Sequence, residues 1–318
     1  MTPLYCRTRR RMRKLKYLLV FALIGLAALW WSNSQLAVIV TVGQSLTLYA
    51  DSRNVELRLI SPDGGTRLRG TLGNGQIYVE ETAKPCSVAG GRRVCAVDVK
   101  VPSNGGIRAR LRLEVGLVSN ATDCYTVSWR SVTGIKNVSV KDCFDLTGAL
   151  WYGGPQVINQ RWPINSQRSE LQPHLVGDYL MHKWRSNKAY GKYGSLAEPY
   201  WVSSAGVGIV VVDDCFTLSS SFNARGDGRL CLKGSRLPRN DGRKVPTVLS
   251  YRICHRKDVA AVHRTMSDRF FKKPHDYPDA RVLRQPIWST WAQYKANVNQ
   301  SIVENMADQI LYYNFPHR

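Results

Sequence analysis

The sequence predicts a mainly β protein: a large antiparallel sandwich behind an N-terminal membrane helix. Three observations carry this expectation. A period of two dominates from residue 45 to about 270. Turn-forming residues interrupt it at short intervals. A basic run followed by a long uncharged apolar stretch opens the chain.

Residues 7–16 (RTRRRMRKLK) hold seven Lys or Arg and no acid. YLLVFALIGLAALWW follows, and no charge appears from Tyr17 until Asp51. Residues 17–35 alone are 19 uncharged positions, long enough to span a bilayer as a helix. The flanking basic run predicts a cytosolic tail over 1–16 and a signal anchor over 17–36, with the bulk of the chain lumenal or extracellular. A cleaved signal peptide is the competing reading, but no small-x-small cleavage site stands where one is needed. The expected location is a single-pass type II membrane protein of the endoplasmic reticulum, Golgi or cell surface. Sequons at Asn120, Asn137 and Asn299 agree with it.

Within the period-two region, GIRARLRLEV (106–115) places Ile107, Ala109, Leu111, Leu113 and Val115 on one face and Arg108, Arg110, Arg112 and Glu114 on the other. VELRLISPDGGTRLRG alternates around a Pro-Asp-Gly-Gly turn, and Leu249, Tyr251 and Ile253 alternate before Cys254. GVGIVVVDD (206–214) is a continuous apolar run, as expected of a strand buried on both faces. Asp213 and Asp214 end it as a turn or cap.

The chain has eight Cys, seven of them beyond the expected membrane helix, which suits an oxidising compartment. In KPCSVAGGRRVC, Gly90-Gly91 lies midway between Cys86 and Cys95. Counting outward from a two-residue turn makes 86–95 a non-hydrogen-bonded pair, close enough for a disulfide. Cys124 with Cys143, and Cys231 with Cys254, are plausible strand-to-strand partners that spacing does not derive. Cys215 is left over, either free or a buried thiol.

Net charge is +22. Removing the seven basic residues of 7–16 from the 45 Lys and Arg leaves 38 against 23 acidic residues, or +15. Arg-rich strand faces account for much of this, as solubility or as attraction to an acidic partner such as anionic glycans or lipid headgroups. Nucleic acid is not an expected partner, because the anchor separates this surface from it.

ALWYGGPQVINQRWPINSQ (149–167) fits neither helix nor strand periodicity. It holds two Trp, one Tyr and five amide side chains, and no Asp or Glu occurs from Leu146 to Ser169. It reads as an ordered loop facing something polar and ring-shaped. Trp151, Tyr152 and Trp162 offer flat apolar faces, and Gln156, Asn159 and Gln160 offer amides. Gly153 and Gly154 allow close backbone approach. The bland alternative is that the Trp residues bury against the sandwich.

After residue 270 the character changes. A short strand is expected at about Pro286–Ala292, then a helix with Ile302, Val303, Met306, Ile310 and Leu311 at helical spacing. Ser301 and Glu304 have capping-box form, and Glu304 with Asp308 reads as a solvated face.

DCFDLTGALWYGGPQVINQRWPIN and RQPIWSTWAQYKANVNQSIVENMADQI together resemble glycoside hydrolase family 31, in particular its membrane-anchored branch. The resemblance is good over 120–318 and general over 37–119. It implies a mainly β fold class: an N-terminal transmembrane helix, a galactose-mutarotase-like antiparallel β-sandwich over 37–278, and the first strand and helix of an incomplete (β/α)8 barrel over 279–318. It also implies retaining hydrolysis of α-glycosides by two Asp. Those Asp belong to later barrel strands, and only 34 residues follow position 284, whereas such a barrel takes about 250. No catalytic residue is therefore carried over. What is carried over is sugar contact: Trp151, Tyr152, Gln156, Gln160 and Trp162 on the loop, and Trp291, Tyr294 and Lys295 at the expected barrel mouth, with Trp288 in the barrel core.

The expected function is that of a family 31 glycosidase-like protein, of which this chain is the N-terminal part, inactive alone. The alternatives are a non-enzymatic membrane-bound sandwich that binds glycans or a partner glycosidase, and a chain that folds incompletely and is degraded. Carbohydrate and membrane are the expected partners. No cofactor or metal is called for.

Overall fold

The computed structural model describes residues 38–315, except 52–53, 74–76, 80–85, 90–91, 103–107, 134–137, 156–160, 176–184, 188–190, 197, 212–216 and 236–246. The expected cytosolic tail and membrane helix lie outside these residues, as do Asn137, Gln156, Asn159, Gln160, Asp213, Asp214 and Cys215. Among the described residues no helix is long and apolar enough to cross a membrane. The chain divides into two compact units between Phe270 and Phe271.

The first unit is a two-sheet β structure. One sheet has ten strands, in the order β1 (Val38–Val42), β2 (Leu46–Ala50), β3 (Val55–Ile60), β4 (Thr66–Leu72), β10 (Ser139–Asp145), β18 (Arg229–Ser235), β17 (Thr217–Phe222), β12 (Ser169–Leu175), β14 (Gly191–Ser195) and β13 (Arg185–Asn187). The other has nine: β11 (Trp151–Gly153), β15 (Tyr200–Ser203), β16 (Val207–Val211), β19 (Thr247–His255), β9 (Cys124–Thr133), β8 (Arg108–Leu117), β7 (Arg92–Pro102) and β5 (Tyr78–Val79), with β6 (Ser87–Ala89) beside β7. Neighbouring strands run antiparallel except β12 and β14.

The alternation read from the sequence sets the core. Ala109, Leu111, Leu113 and Val115 of β8 are buried, while Arg112 and Arg130 point outward to Asp98 and Glu114. Leu249, Tyr251 and Ile253 of β19 are buried in register with Trp129, Val127 and Tyr125 of β9. Inward residues of both sheets join one apolar cluster. The β3–β4 hairpin closes through the expected Pro-Asp-Gly-Gly turn, where Ser61 Oγ donates to the Gly65 carbonyl at 2.8 Å.

β16 is buried along its whole length. Val207, Ile209 and Val211 face the core. Gly208 faces a helix, α1 (Val259–Phe270), whose Met266 Cγ would lie 2.8 Å from a Cβ at that glycine. The period-two reading runs over this helix and misses it. Its sequence signals are Asp258, whose carboxylate accepts from the Ala261 N–H at 2.7 Å, and the i, i+4 pair Val262 and Met266, both buried.

All six cysteines expected in disulfides form them, with one change of partners. Cys86 joins Cys95, and the β6–β7 register Ser87↔Val94, Val88↔Arg93 and Ala89↔Arg92 matches the count from Gly90-Gly91. The other two bonds are Cys124–Cys254 and Cys143–Cys231. The pairings Cys124–Cys143 and Cys231–Cys254 are corrected. The chain changes sheets between β9 and β10 and again between β18 and β19, so those cysteines never share a ladder. Each true pair is directly opposed on neighbouring strands, Cys124↔Cys254 and Cys143↔Cys231.

Among the described residues, one carboxylate, that of Asp142, is fully buried inside the sandwich. Its Oδ1 accepts from the Gly73 N–H, and its Oδ2 accepts from Trp129 Nε1 and from the Tyr251 hydroxyl, each at 2.8 Å. Burial pushes its pKa up to about 6 against the pull of these three donors.

The second unit holds three helices: α2 (Ala280–Arg284), α3 (Trp291–Tyr294) and α4 (Gln300–Tyr312). Residues 286–290 are not strand, which corrects the expected strand at Pro286–Ala292. The unit offers no described strand to pair with, and an isolated strand leaves its backbone unsatisfied. The expected helix is present as α4. Its N-cap is Asn299, whose Oδ1 accepts from the Ile302 N–H at 3.0 Å, in place of the Ser301–Glu304 capping box.

Candidate functional site

The aromatic segment leaves β10 and enters the second sheet as β11, paired with β15 through Trp151↔Ser203, Tyr152↔Val202 and Gly153↔Trp201. Alternation along β11 sends Trp151 inward and Tyr152 outward. Trp151 is 1% exposed and belongs to the core. Its ring therefore offers no face to a ligand, which corrects the expectation for this residue.

Gly153 and Gly154 hold φ of +99° and +84°. A Cβ at Gly153 would stand 2.2 Å from the Tyr200 carbonyl oxygen, and one at Gly154 would stand 2.4 Å from Trp201 Nε1. The close approach that these glycines permit is thus made by the protein's own β15. The Gly154 N–H donates to the Tyr200 carbonyl at 2.9 Å. Tyr200 also contacts His263 Nδ1 through its hydroxyl at 3.2 Å, and burial pushes its pKa up to about 12, so the phenol stays neutral at physiological pH.

Two asparagines clamp the loop, and the sequence reading missed both roles. Asn165 Oδ1 accepts from the Trp151 N–H at 2.8 Å, and Asn165 Nδ2 donates to the carbonyls of Leu146 at 2.9 Å and Ala149 at 3.0 Å. Asn223 Nδ2 donates to the carbonyls of Asn165 and Gln167, both at 3.1 Å. Asn223 adopts a positive φ of 48°, a conformation that Asn tolerates better than most residues. Ile164, fully buried in a short 3-10 turn, anchors the same segment.

This clamp leaves Trp162 outside. Trp162 is 52% exposed, and its ring centroid lies 6.0 Å from that of the half-buried Tyr152 at an interplanar angle of 35°. The two rings form an aromatic shelf on the rigid end of the loop. No acid lies on this segment, and the cationic Arg161 side chain is exposed beside the shelf.

In the second unit, Trp288, Tyr294, Ile302, Met306, Ile310 and Phe315 are among the residues lining a pocket of about 410 Å³. The Trp288 and Phe315 rings lie 5.4 Å apart between centroids, tilted by 48°. Trp291 is 64% exposed, and neither it nor Lys295, which holds a φ of +50°, lines this pocket. Among the described residues, no three His, Cys, Asp or Glu side chains gather as a metal site.

Residues 107–245, which contain the clamped loop, match the family of myogenesis-regulating glycosidase N-terminal domains. Over that span the chain resembles the N-terminal domain of myogenesis-regulating glycosidase. It is 34% identical over 197 residues to myogenesis-regulating glycosidase of Mus musculus, covering 60% of this chain and 26% of that protein. It is 29% identical over 169 residues to SITS-binding protein of Tetronarce californica, covering 53% of this chain and 22% of that protein. The chain spans about a quarter of the length of these curated relatives. The aromatic shelf, the glycine pair and both clamping asparagines fall within the matched domain.

Proposed function

We propose that this chain supplies the sandwich wall of a sugar-binding site in a membrane-anchored, glycosidase-like protein. The observation that carries this reading is the exposed Trp162–Tyr152 shelf held rigid by Asn165 and Asn223. A flat aromatic face covers the C–H side of a sugar ring, and a pre-ordered loop lowers the entropic cost of binding. The glycosidase name of the mouse relative supports carbohydrate as the ligand class. The residues on the shelf bind and orient; none of them is assigned a part in breaking a glycosidic bond, and α-glycoside hydrolysis by this chain alone is not expected.

Saturation-transfer NMR with methyl α-galactoside and methyl α-glucoside tests the reading on the full-length chain in detergent. Ring protons of at least one sugar receive magnetisation from the protein, and Trp162→Ala removes most of the effect. Equal transfer in wild type and Trp162→Ala overturns the assignment of the shelf, and no transfer from the wild type to either sugar overturns the sugar-binding reading itself.

The lumenal topology belongs to the same proposal. In that topology Asn120 is the favoured glycan acceptor among the described sequons. It sits exposed in the turn between β8 and β9, with Thr122 also exposed. The Asn299 side chain is engaged as the α4 cap. Chains expressed through a secretory pathway then show a glycanase-sensitive gel shift that Asn120→Gln reduces, and an unchanged shift counts against the site.

A further inference from the structure

The outward face of the ten-stranded sheet brings two lysines together with no acid between them. Cys143 and Cys231 are directly opposed, with Cα atoms 4.0 Å apart, the close spacing of a non-hydrogen-bonded pair. Such pairs recur at every second residue along an antiparallel ladder. Lys141, opposite Lys233, is therefore another, with Cα atoms about 4.5 Å apart. Both lysines share the outward face with the disulfide, since the intervening Val140, Phe144, Leu230 and Leu232 belong to the core.

Like charges directly opposed destabilise a sheet, and where arginines face one another in this chain, Arg58 opposite Arg69 and Arg112 opposite Arg130, each has an acidic partner. Arg112 pairs with Asp98, Arg130 with Glu114, Arg69 with Glu56 and Arg229 with Asp145. Lys141 and Lys233 have no hydrogen bond or ion pair among the described residues. Partial burial, then Lys233 and Arg229, pull the Lys141 ammonium below its ordinary pKa, and only Asp227 acts in the other direction. Hydroxyls surround the pair. Ser219 of β17 stands opposite Lys233, and Ser139 opposite Ser235 forms the next outward row.

We propose that Lys141 and Lys233, with Ser219 beside them, bind a sulfate-type oxyanion. Tetrahedral oxygens between two ammonium groups replace a repulsion with charge-assisted hydrogen bonds, and the compact lysine charge does not require the planar geometry that arginine prefers. A free sulfate ion and a sulfated sugar present the same chemistry to this site. The site is separate from the aromatic shelf and does not depend on sugar binding there.

Thermal unfolding of the full-length chain in detergent tests it, with sodium sulfate compared against sodium chloride at equal ionic strength. Wild type shows a saturable rise in Tm with millimolar sulfate, amounting to a few degrees at ten times Kd. Lys233→Met, which keeps much of the apolar stem, is at least as stable as wild type without sulfate and loses the saturable rise. Lys272→Met, a control in the second unit, keeps it. A sulfate response that persists in Lys141→Met/Lys233→Met, or none in wild type to either probe, overturns the site. Glucose 6-sulfate, compared with glucose, separates the sources. Saturation at a lower concentration than inorganic sulfate assigns the site to sulfated sugar, and the reverse order assigns it to the free ion.

Discussion

Trp129 Nε1 donates to Asp142 Oδ2 at 2.8 Å, and the bond runs from one sheet to the other. Trp129 stands on β9 and Asp142 on β10, consecutive strands that lie in opposite sheets. Tyr251 of β19 reaches the same oxygen from the nine-stranded sheet, and Gly73, just after β4, reaches the other. A carboxylate accepts all three donors because it is acceptor-only when ionised. Its burial opposes that ionisation, and this conflict has measurable consequences.

The first is a pH dependence. The Asp142 carboxyl has its ordinary value of 3.8 when unfolded and about 6 when folded. Between those values the native state holds a proton that the unfolded state has released, so this group adds stability as pH falls through 6 and adds no more below about 4. A shift of this size corresponds to at most about 3 kcal/mol. Glu56 and Asp63 are held below their ordinary values, Glu56 against its own burial by the arginine bonds and Asp63 by the Ser61 hydroxyl. Their loss of stability therefore sets in at lower pH, below about 4.5. Urea midpoints between pH 7.5 and 5 should rise for wild type relative to Asp142→Asn. A flat difference rules out titration of Asp142.

Tyr251→Phe removes one donor from the carboxylate and leaves the ring that packs edge-on against Phe144, at 5.7 Å between centroids. The expected cost is about 1–3 kcal/mol at pH 7.5. The cost should shrink toward pH 5, because a protonated Asp142 depends less on its donors. Equilibrium denaturation at both pH values checks this, and a pH-independent cost contradicts it.

The disulfides differ in the loop that they close. Cys124–Cys254 spans 130 residues and Cys86–Cys95 spans nine. Loop-entropy arguments give about 5 kcal/mol for the first and about 2.5 kcal/mol for the second. Cys124→Ala/Cys254→Ala should lower the urea midpoint more than Cys86→Ala/Cys95→Ala. Non-reducing peptide mapping should recover Cys124 with Cys254 and Cys143 with Cys231, and recovery of a Cys124–Cys143 peptide would refute the sheet assignment of β9 and β10.

Asn165→Ala deletes three hydrogen bonds at the base of the aromatic loop without touching either ring of the shelf. A loss of about 1–3 kcal/mol in local stability is expected. Hydrogen exchange should speed up at the Trp151 amide, which loses its acceptor, while amides of β8 and β9 stay protected. Unchanged exchange at Trp151 shows that the clamp does not hold the loop.

Part of the candidate site was legible in the sequence. The density of Trp, Tyr and amides in 149–167 and the absence of acids marked it as a surface for something polar and ring-shaped. Which ring faces outward was not legible. Trp151 and Trp162 are the same residue type in the same segment, and pairing of β11 with β15 is what buries one and exposes the other. Asn165 and Asn223 carry no periodicity, and their roles exist only where two distant loops meet.

The sequence by itself determined everything that depends on near neighbours along the chain. Alternation gave the inward face of β8 and of β19, and the Gly90-Gly91 turn gave the register that joins Cys86 to Cys95. The helix at Gln300–Tyr312 followed from its spacing. Tertiary structure alone decided what lies opposite each of those faces. It placed β9 and β10 in different sheets, exchanged the partners of four cysteines, closed the sandwich over Asp142 and opposed Lys141 to Lys233. The reason is physical. Local pattern states which side of a strand avoids water, whereas partner choice depends on contacts between distant segments, such as the 130 residues that separate Cys124 from Cys254, and no local pattern encodes them.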